Sequence, residues 1–453
     1  MFKKIEIWIL YLIVFLGIPI TIGFGVLVRQ ELIGSTKLGR VSKTALFLAE
    51  IPMNLKKIFL SNQLQVAGER FPLLDNFNGT PNSSESYLLL SRYDRDLKEG
   101  IVELVDLMNF KVLHTWNPDI NKFNDSVKQS GEFKYLNRDG NNSRFLLRHP
   151  LLLKDGGLVF QDSSPLMKID ECSNLIFQNT QDRFHHSIET DIDGNIWVPS
   201  YMYPQTLPVE KVGRDIVEEN GYIDDGIVKL SPNGEVLFEK SVSQIFIDNN
   251  LESLLFSSGD YRFVKDPIHL NDIQPVDFDG EYWKKGDVFL SINSQSMLIL
   301  YRPLTNQIIW HGKGPFSRVH DVDILDDYRI SAFHNNYKFF VNTNVVDGNN
   351  EVIIYDFNTN KYSTYLEESL VENDVRTKTN GRSQILPNGD LFIEETDFGR
   401  TLYFDSDGSL RWTHVNRADN GNVYGIGWSR ILYTPESIKI VKNFLEARGK
   451  CND

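Results

Sequence analysis

The sequence predicts an all-β protein, a six-bladed β-propeller preceded by an N-terminal transmembrane helix and followed by a short C-terminal helix. Three observations carry this. A strand–turn–strand unit recurs along the chain: IVELVDLMNFKVLHTW, LMKIDECSNLIFQ, GIVKLSPNGEVLFE, MLILYRPLTNQIIW, VIIYDFNTNKYSTY and TLYFDSDGSLRW. The copies turn at polar steps, two of them, SPNG and DSDG, at an Asp/Ser-x-Asn/Asp-Gly step, the chemistry of a tight hairpin. Six such copies in 453 residues, with further strands before each, give the four-strand repeat of a propeller, whose blades must stack because one blade cannot bury both faces alone. Second, histidines stand at or near the start of four units: His149, the pair His185–His186, His269 and His320. In a radial architecture the first strand of each unit lines the axis, so these rings are expected at equivalent places around one funnel. Third, Ile7–Val28 is an uncharged, apolar run. A pair of β-sandwiches is the rival architecture, but it needs no shared axial residues.

In chain order, Ile7–Val28 is long enough to cross the roughly 30 Å hydrocarbon core as a helix. Lys3 and Lys4 before it favour a cytoplasmic N-terminus. A cleaved signal has a shorter apolar stretch and a small-residue cleavage site, which VLVRQEL does not offer. Residues 1–30 are therefore read as an uncleaved anchor, with the rest on the periplasmic or extracytoplasmic side. Residues 31–84 are expected to form a juxtamembrane helix and linker. The helix (SKTALFLAEIPMNLKKIFL, Ser42–Leu60) should kink or end at Pro52, and DNFNGTPNSS (Asp75–Ser84) reads as loop. Residues 85–453 hold the propeller and a helix over Thr434–Arg448, with Thr434 as N-cap and Pro435 in the first turn.

A formal net charge of -14 excludes a nucleic-acid partner, since phosphate binding needs a basic face. The two cysteines, Cys172 and Cys451, form no CxxC and hence no zinc signature. An oxidising compartment would allow them to pair, but separate thiols are the simpler expectation.

The segments HLN at His269–Asn271, LSINS around Asn293, IWHG at Ile309–Gly312, VHD at Val319–Asp321 and AFHNN at Ala332–Asn336 together resemble the bacterial aryl-sulfate sulfotransferases that need no nucleotide sulfate donor. HHSIETDIDGNIWVPS and RSQILPNGDLFIEE resemble further strands of the same propeller, and the resemblance covers about Pro150 to Trp412. It implies a six-bladed propeller with the site in its central funnel. It also implies movement of a sulfuryl group from a phenolic sulfate ester to a phenol through a sulfated histidine, without cofactor or metal. By position His320 would be the nucleophile, His269 and Asn271 would contact the sulfate, and His186 would assist proton transfer. Where the family has an arginine this chain has Asn293, and the F-D-N-G turn is replaced by AFHNN. Arg318, Arg382 or Lys313 is expected to supply the missing positive charge.

The residues fit this chemistry independently of the resemblance. A neutral imidazole is a nucleophile near neutral pH. Sulfuryl transfer spreads charge over non-bridging oxygens and needs fixed donors around them. His269 and Asn271, two residues apart, share one strand face. His185 alternates to the other face and is expected to be structural, and His114, His311 and His414 are expected on blades or loops. A propeller that binds an anionic or phenolic ligand without turnover, and a scaffold propeller using its rims, are the competing functions. The axial histidines disfavour the scaffold.

Overall fold

The computed structural model describes residues 6–32, 38–59, 65–130, 133–212, 222–257, 263–340 and 343–447. Two compact units emerge. The smaller holds the helices Ile7–Leu32 and Gly39–Phe59 and the segment Leu207–Tyr222 with its single-turn helix Val209–Val212. The first helix is long and apolar enough to cross a membrane, and its side chains are almost all exposed. In the second, of the expected kink or end at Pro52 the end does not occur: the chain stays helical to Phe59. One missing N–H is tolerated where the neighbouring turns remain intact.

The larger unit is the propeller. Blade 1 has the strand order Arg430–Leu432, Tyr87–Asp94, Glu99–Asp106, Lys111–Trp116 from axis to rim. Blade 2 follows as Arg148–Leu152, Leu158–Gln161, Leu166–Ile169, Leu175–Asn179. In blade 3 the inner position is split between Arg183–Phe184 and Glu189–Thr190, followed by Ile196–Tyr201, Asp225–Leu230 and Val236–Ser241. Blade 4 comprises Leu270–Pro275, Val288–Ile292, Met297–Arg302 and Gln307–Gly312. Blade 5 comprises Val319–Ile324, Arg329–His334, Glu351–Asp356 and Lys361–Thr364, with an added hairpin of Tyr337–Phe339 and Asn344–Val346. Blade 6 runs Arg382–Ile385, Leu391–Glu395, Arg400–Phe404, Leu410–Val415 and then Asn76–Gly79. All neighbouring strands within the blades pair antiparallel.

The ring is closed twice. Blade 1 takes its inner strand from the C-terminal end of the propeller and its other three from the N-terminal end. Blade 6 takes its outermost strand, Asn76–Gly79, from the N-terminal side. That segment was expected to be loop. It becomes a strand because Leu410–Val415 offers a free edge and because Phe77 stacks on Phe110 at 4.7 Å and meets Trp412 at 5.5 Å. Gly79 (φ 120°) ends it where a Cβ would lie 2.3 Å from the Arg411 carbonyl oxygen, so only glycine fits.

Burial follows the ring. Separate apolar clusters fill the interfaces of blades 1/2, 2/3, 3/4, 4/5, 5/6 and 6/1. A cluster between the last blade and the first is what distinguishes a closed ring from an open array. The helix Pro435–Ala447 starts as the sequence indicated, with Thr434 Oγ1 accepting from the Ser437 amide at 3.1 Å. Its Val441 and Phe444 join the blade 1/2 cluster, Phe444 lying 4.9 Å from Trp116.

Cys172, in the turn between the third and fourth strands of blade 2, is disulfide-bonded, which overturns the expectation of a thiol. Cys451 lies outside the described residues.

Candidate active site

The inner strands enter the axis through an unusual backbone step. His149 (φ 52°), His186 (φ 58°), His269 (φ 51°), Arg318 (φ 67°) and Trp428 (φ 58°) all occupy the left-handed region just before or at the start of an inner strand. Non-glycine residues adopt this conformation at a cost and do so mostly where function or neighbouring structure demands it. The inner strands of blades 2, 4 and 5 also carry a bulge in their first residues, which re-aims side chains at a strand end.

The expectation that the histidines hold equivalent places is met by three of them and corrected for the fourth. His149, His186 and His269 sit at the left-handed step. In blade 5 that step is Arg318, and His320 lies two residues deeper, in the place that Asn271 holds in blade 4. Blades 4 and 5 share both the left-handed step and the bulge, so they differ in which position of one frame carries the imidazole.

His186 and His269 are in ring contact at 5.2 Å. His185 Nδ1 and His186 Nδ1 are 2.7 Å apart, and the His185 ring stacks on Tyr201 at 4.1 Å. His149 packs against Trp428 at 3.9 Å, and Trp428 also meets His320 at 6.0 Å. His320 Nδ1 is hydrogen-bonded to Asn335 Oδ1. Outside this cluster, His114, His311 and His414 lie in the fourth strands of blades 1, 4 and 6, as expected.

Asn271, Ser291 and Asn293 all donate to the Val319 carbonyl, at 3.0, 3.1 and 3.2 Å. Asn271 Oδ1 is left buried with no protein partner. Asn293 Oδ1 accepts from Arg318 Nη1 at 3.0 Å. A guanidinium therefore stands beside Asn293, delivered from the next blade. Arg382 is placed differently. It is almost fully buried on the axis, 3.4 Å from Asp321 and 3.8 Å from Glu189, so its charge is committed to carboxylates. Lys313 is in the loop after the fourth strand of blade 4.

The two central histidines are pushed to opposite protonation states. Burial drives the His320 pKa down to about 3, and the charges of His269 and Arg318 add to this against the opposing hydrogen bond from Asn335. Burial also works against the charged form of His269, but the Asp266 carboxylate at 2.6 Å, with Asp225 behind it, outweighs it and raises its pKa. His186 is held well below its ordinary value by burial and by the neighbouring His185, His269, His320 and His149. A neutral imidazole beside a cationic one is the division of labour that acid–base sites use.

Sequence reasoning did not single out Asp266, Asn335 or Trp428. Asp266 had a local signal, a carboxylate three residues before His269. Trp428 stands at a strand start after a glycine-rich run and had none. A cavity of about 600 Å³ opens at the opposite end of the inner strands, around Leu151–Asp155, Glu189–Gly194 and Arg430–Thr434. It is lined by none of the four axial histidines.

The fold is a closed six-bladed propeller, and imidazoles, amides and the Arg318 guanidinium gather where its inner strands enter the axis. The chain belongs to the Arylsulfotransferase (ASST) family, whose profile matches residues 149–417, and that membership assigns it to the sulfotransferases. Among curated proteins none matches. Solved structures with a similar course include a protein of unknown function from Bacteroides caccae, with 12% identity, 76% of this chain and 98% of the other covered, and TM-score 0.45. Another is TolB from Acinetobacter baumannii, with 11% identity, 77% and 66% covered, and TM-score 0.40. Hydrazine synthase from Kuenenia stuttgartiensis shows 12% identity, 68% and 71% covered, and TM-score 0.39. These likenesses say nothing of activity.

Proposed function

We propose that the protein transfers a sulfuryl group from a phenolic sulfate ester to a phenol, with His320 as the covalent carrier. The observation that supports this most is geometric: His320, with Nδ1 tied to Asn335, shares one end of the inner strands with His269, paired to Asp266 at 2.6 Å, and with the Arg318 guanidinium. In the first half-reaction His320 Nε2 bonds to sulfur as the sulfur–aryl oxygen bond breaks and the phenolate leaves with that electron pair. In the second, a phenol oxygen bonds to sulfur, its proton passing to a base, and the sulfur–nitrogen bond breaks to restore the imidazole lone pair. His269 and Arg318 hold the non-bridging oxygens, where charge needs fixed donors. Asn271 and Asn293 shape the same wall, and His186 moves the proton between phenol and phenolate. Arg382 acts on this site indirectly, by holding Asp321 beneath His320.

The test is transfer from a chromogenic aryl sulfate to a phenol by the full chain in detergent, with intact-mass detection of a sulfuryl adduct on His320. An adduct lost in His320→Ala is expected. Binding of aryl sulfates with neither adduct nor turnover would replace this reading with that of a binding propeller.

We further infer that Ile7–Leu32 remains as a membrane anchor with the propeller on the extracytoplasmic side. The disulfide at Cys172 supports an oxidising compartment. Sequencing the mature N-terminus checks the anchor: a start beyond about residue 30 would mean a cleaved signal instead.

A further inference from the structure

Asn335 lies at the end of the second strand of blade 5, directly after His334, and is fully buried. Its side-chain amide is fixed in one orientation. Nδ2 donates to the Asn380 carbonyl at 2.8 Å and to the Thr377 carbonyl at 3.2 Å. The frame around it is equally fixed: Asn350 Nδ2 donates to the Asn335 carbonyl at 2.7 Å and to the Thr377 carbonyl at 2.9 Å, and the Asn335 amide donates to the Arg318 carbonyl at 3.0 Å. Turning the amide over would set Oδ1 against two carbonyl oxygens, which offer no proton. Oδ1 must therefore face His320, and an amide oxygen only accepts. The proton of the neutral imidazole then sits on Nδ1, and the lone pair is on Nε2.

We infer that Asn335 is a positioning residue that selects the tautomer of His320, leaving Nε2 unprotonated as the nucleophilic atom. This rests on the reading of His320 as sulfuryl carrier. It also explains the choice of asparagine. An aspartate would hold the same tautomer, but its charge would draw a second proton onto the ring and remove the lone pair. The amide orients without that charge. When Nε2 carries the sulfuryl group, the ring gains positive charge and the Nδ1–H bond to Oδ1 strengthens.

The groups facing His320 set what a pH measurement would read. They are the cationic His269 and Arg318, the neutral His186 and His149, and Trp428. Asp321, the next residue, is turned to Arg382 and to the Ser383 amide. None of them supplies a carboxylate to His320, so one placed at position 335 would dominate its titration.

The experiment is nitrogen NMR on the full chain in detergent, labelled at its nine histidines, with His320 identified by difference against His320→Gln. A pyridine-like Nε2 and a protonated Nδ1 at neutral pH are expected. A protonated Nε2 would overturn the inference even if sulfuryl transfer is fully active. The expected tautomer without transfer would instead sink the functional reading and leave the tautomer assignment standing. In kinetics, Asn335→Ala should lower kcat by about 10- to 100-fold, the usual effect of losing a supporting partner, with KM little changed. Asn335→Asp should move the acid limb of kcat/KM upward toward neutral pH. A parallel loss in both variants with an unmoved limb would show a merely structural role and overturn the inference.

Discussion

Blades 4 and 5 enter the axis on the same backbone frame and put different chemistry on it. Each begins with a cationic side chain in the left-handed conformation, His269 at φ 51° and Arg318 at φ 67°. Two residues on comes the group that faces the funnel, Asn271 in one and His320 in the other. The next residue is a buried aspartate that latches to the following blade: Asp272 accepts from the Val322 amide at 2.8 Å, and Asp321 from the Ser383 amide at 3.0 Å. The repeat thus supplies position, and the side chain supplies function. An amide at the third place can only bind, whereas an imidazole there has a lone pair that can form a bond. The first place is a charge in both blades, obtained in blade 5 from a guanidinium and in blade 4 by pairing a histidine with Asp266.

The largest effect should come from removing the group that distinguishes the two blades. His320→Ala is expected to reduce transfer by at least about 10³-fold, since no other group replaces a covalent nucleophile. Asn271→His in that background places an imidazole on the equivalent step of blade 4, where Asn293, the counterpart of Asn335, has its Oδ1 already accepting from Arg318. It should not rescue transfer. Recovery of activity in the double variant, followed by stopped-flow release of a chromogenic phenol, would mean that the frame alone suffices.

The second place in size belongs to the charge of blade 4. His269→Gln keeps a donor but loses the cation, and kcat should fall by about 10²–10³, the scale for losing one oxyanion donor. Asp266→Asn should reproduce most of that loss, because Asp266 is what keeps His269 charged. If Asp266→Asn leaves kcat unchanged, the charge of His269 has no role.

The propeller was legible in the sequence because each of its signals is local. The hairpins, the turn residues and the Thr434 cap lie within a few positions of one another. The parts that were not legible depend on contacts across the ring. Asn76–Gly79 reads as loop by composition and becomes a strand only because blade 6 has an edge to fill. That His269 and His320 stand two residues apart on a shared frame shows only once His269 and Arg318 are seen to make the same left-handed step, and non-glycine residues give no sequence warning of a positive φ. Asn335 was visible only as a departure from a motif, since its partners at Thr377 and Asn380 are more than forty residues away. Arg318 was visible as a spare cation, but its contact with Asn293 joins two blades.

That contact gives the third prediction. Arg318→Ala should raise KM for the aryl sulfate and cut kcat/KM by about 10- to 100-fold, the range of a lost charge-assisted contact to an anion. Asn293→Arg alone puts a second guanidinium beside Arg318 with no new carboxylate and should not help. Combined with Arg318→Ala, it should recover about tenfold, because one cation then occupies the place from the other blade. Additive losses in the double variant, measured as kcat/KM, would show that the two positions do not serve one anion.

The smallest effect, and the one that reads both blades at once, is the pH dependence. His320 works as the neutral base form, and burial holds its pKa at about 3. Its protonation therefore takes activity away only far below the ordinary histidine value of ~6.5. His269 works as the cation, and its pKa is raised, so activity should fall as pH rises through that higher value. The kcat/KM profile of the free enzyme should be flat from slightly acid to neutral pH, with an acid limb well below 6.5 and an alkaline limb above it, each about tenfold per pH unit. Stability imposes a separate acid limit. His185 and His414 are lowered to about 3, as His320 is, and His149 and His186 lie well below their ordinary value, all chiefly through burial. The unfolded chain binds those protons first, so stability is present above ~6.5 and is lost progressively as pH falls from there toward 3. Circular dichroism at each pH separates the two causes. An acid limb near 6.5 in protein that is still folded would mean that the titrating histidine of blade 5 is not held neutral, and the contrast between the two blades would fail at its central point.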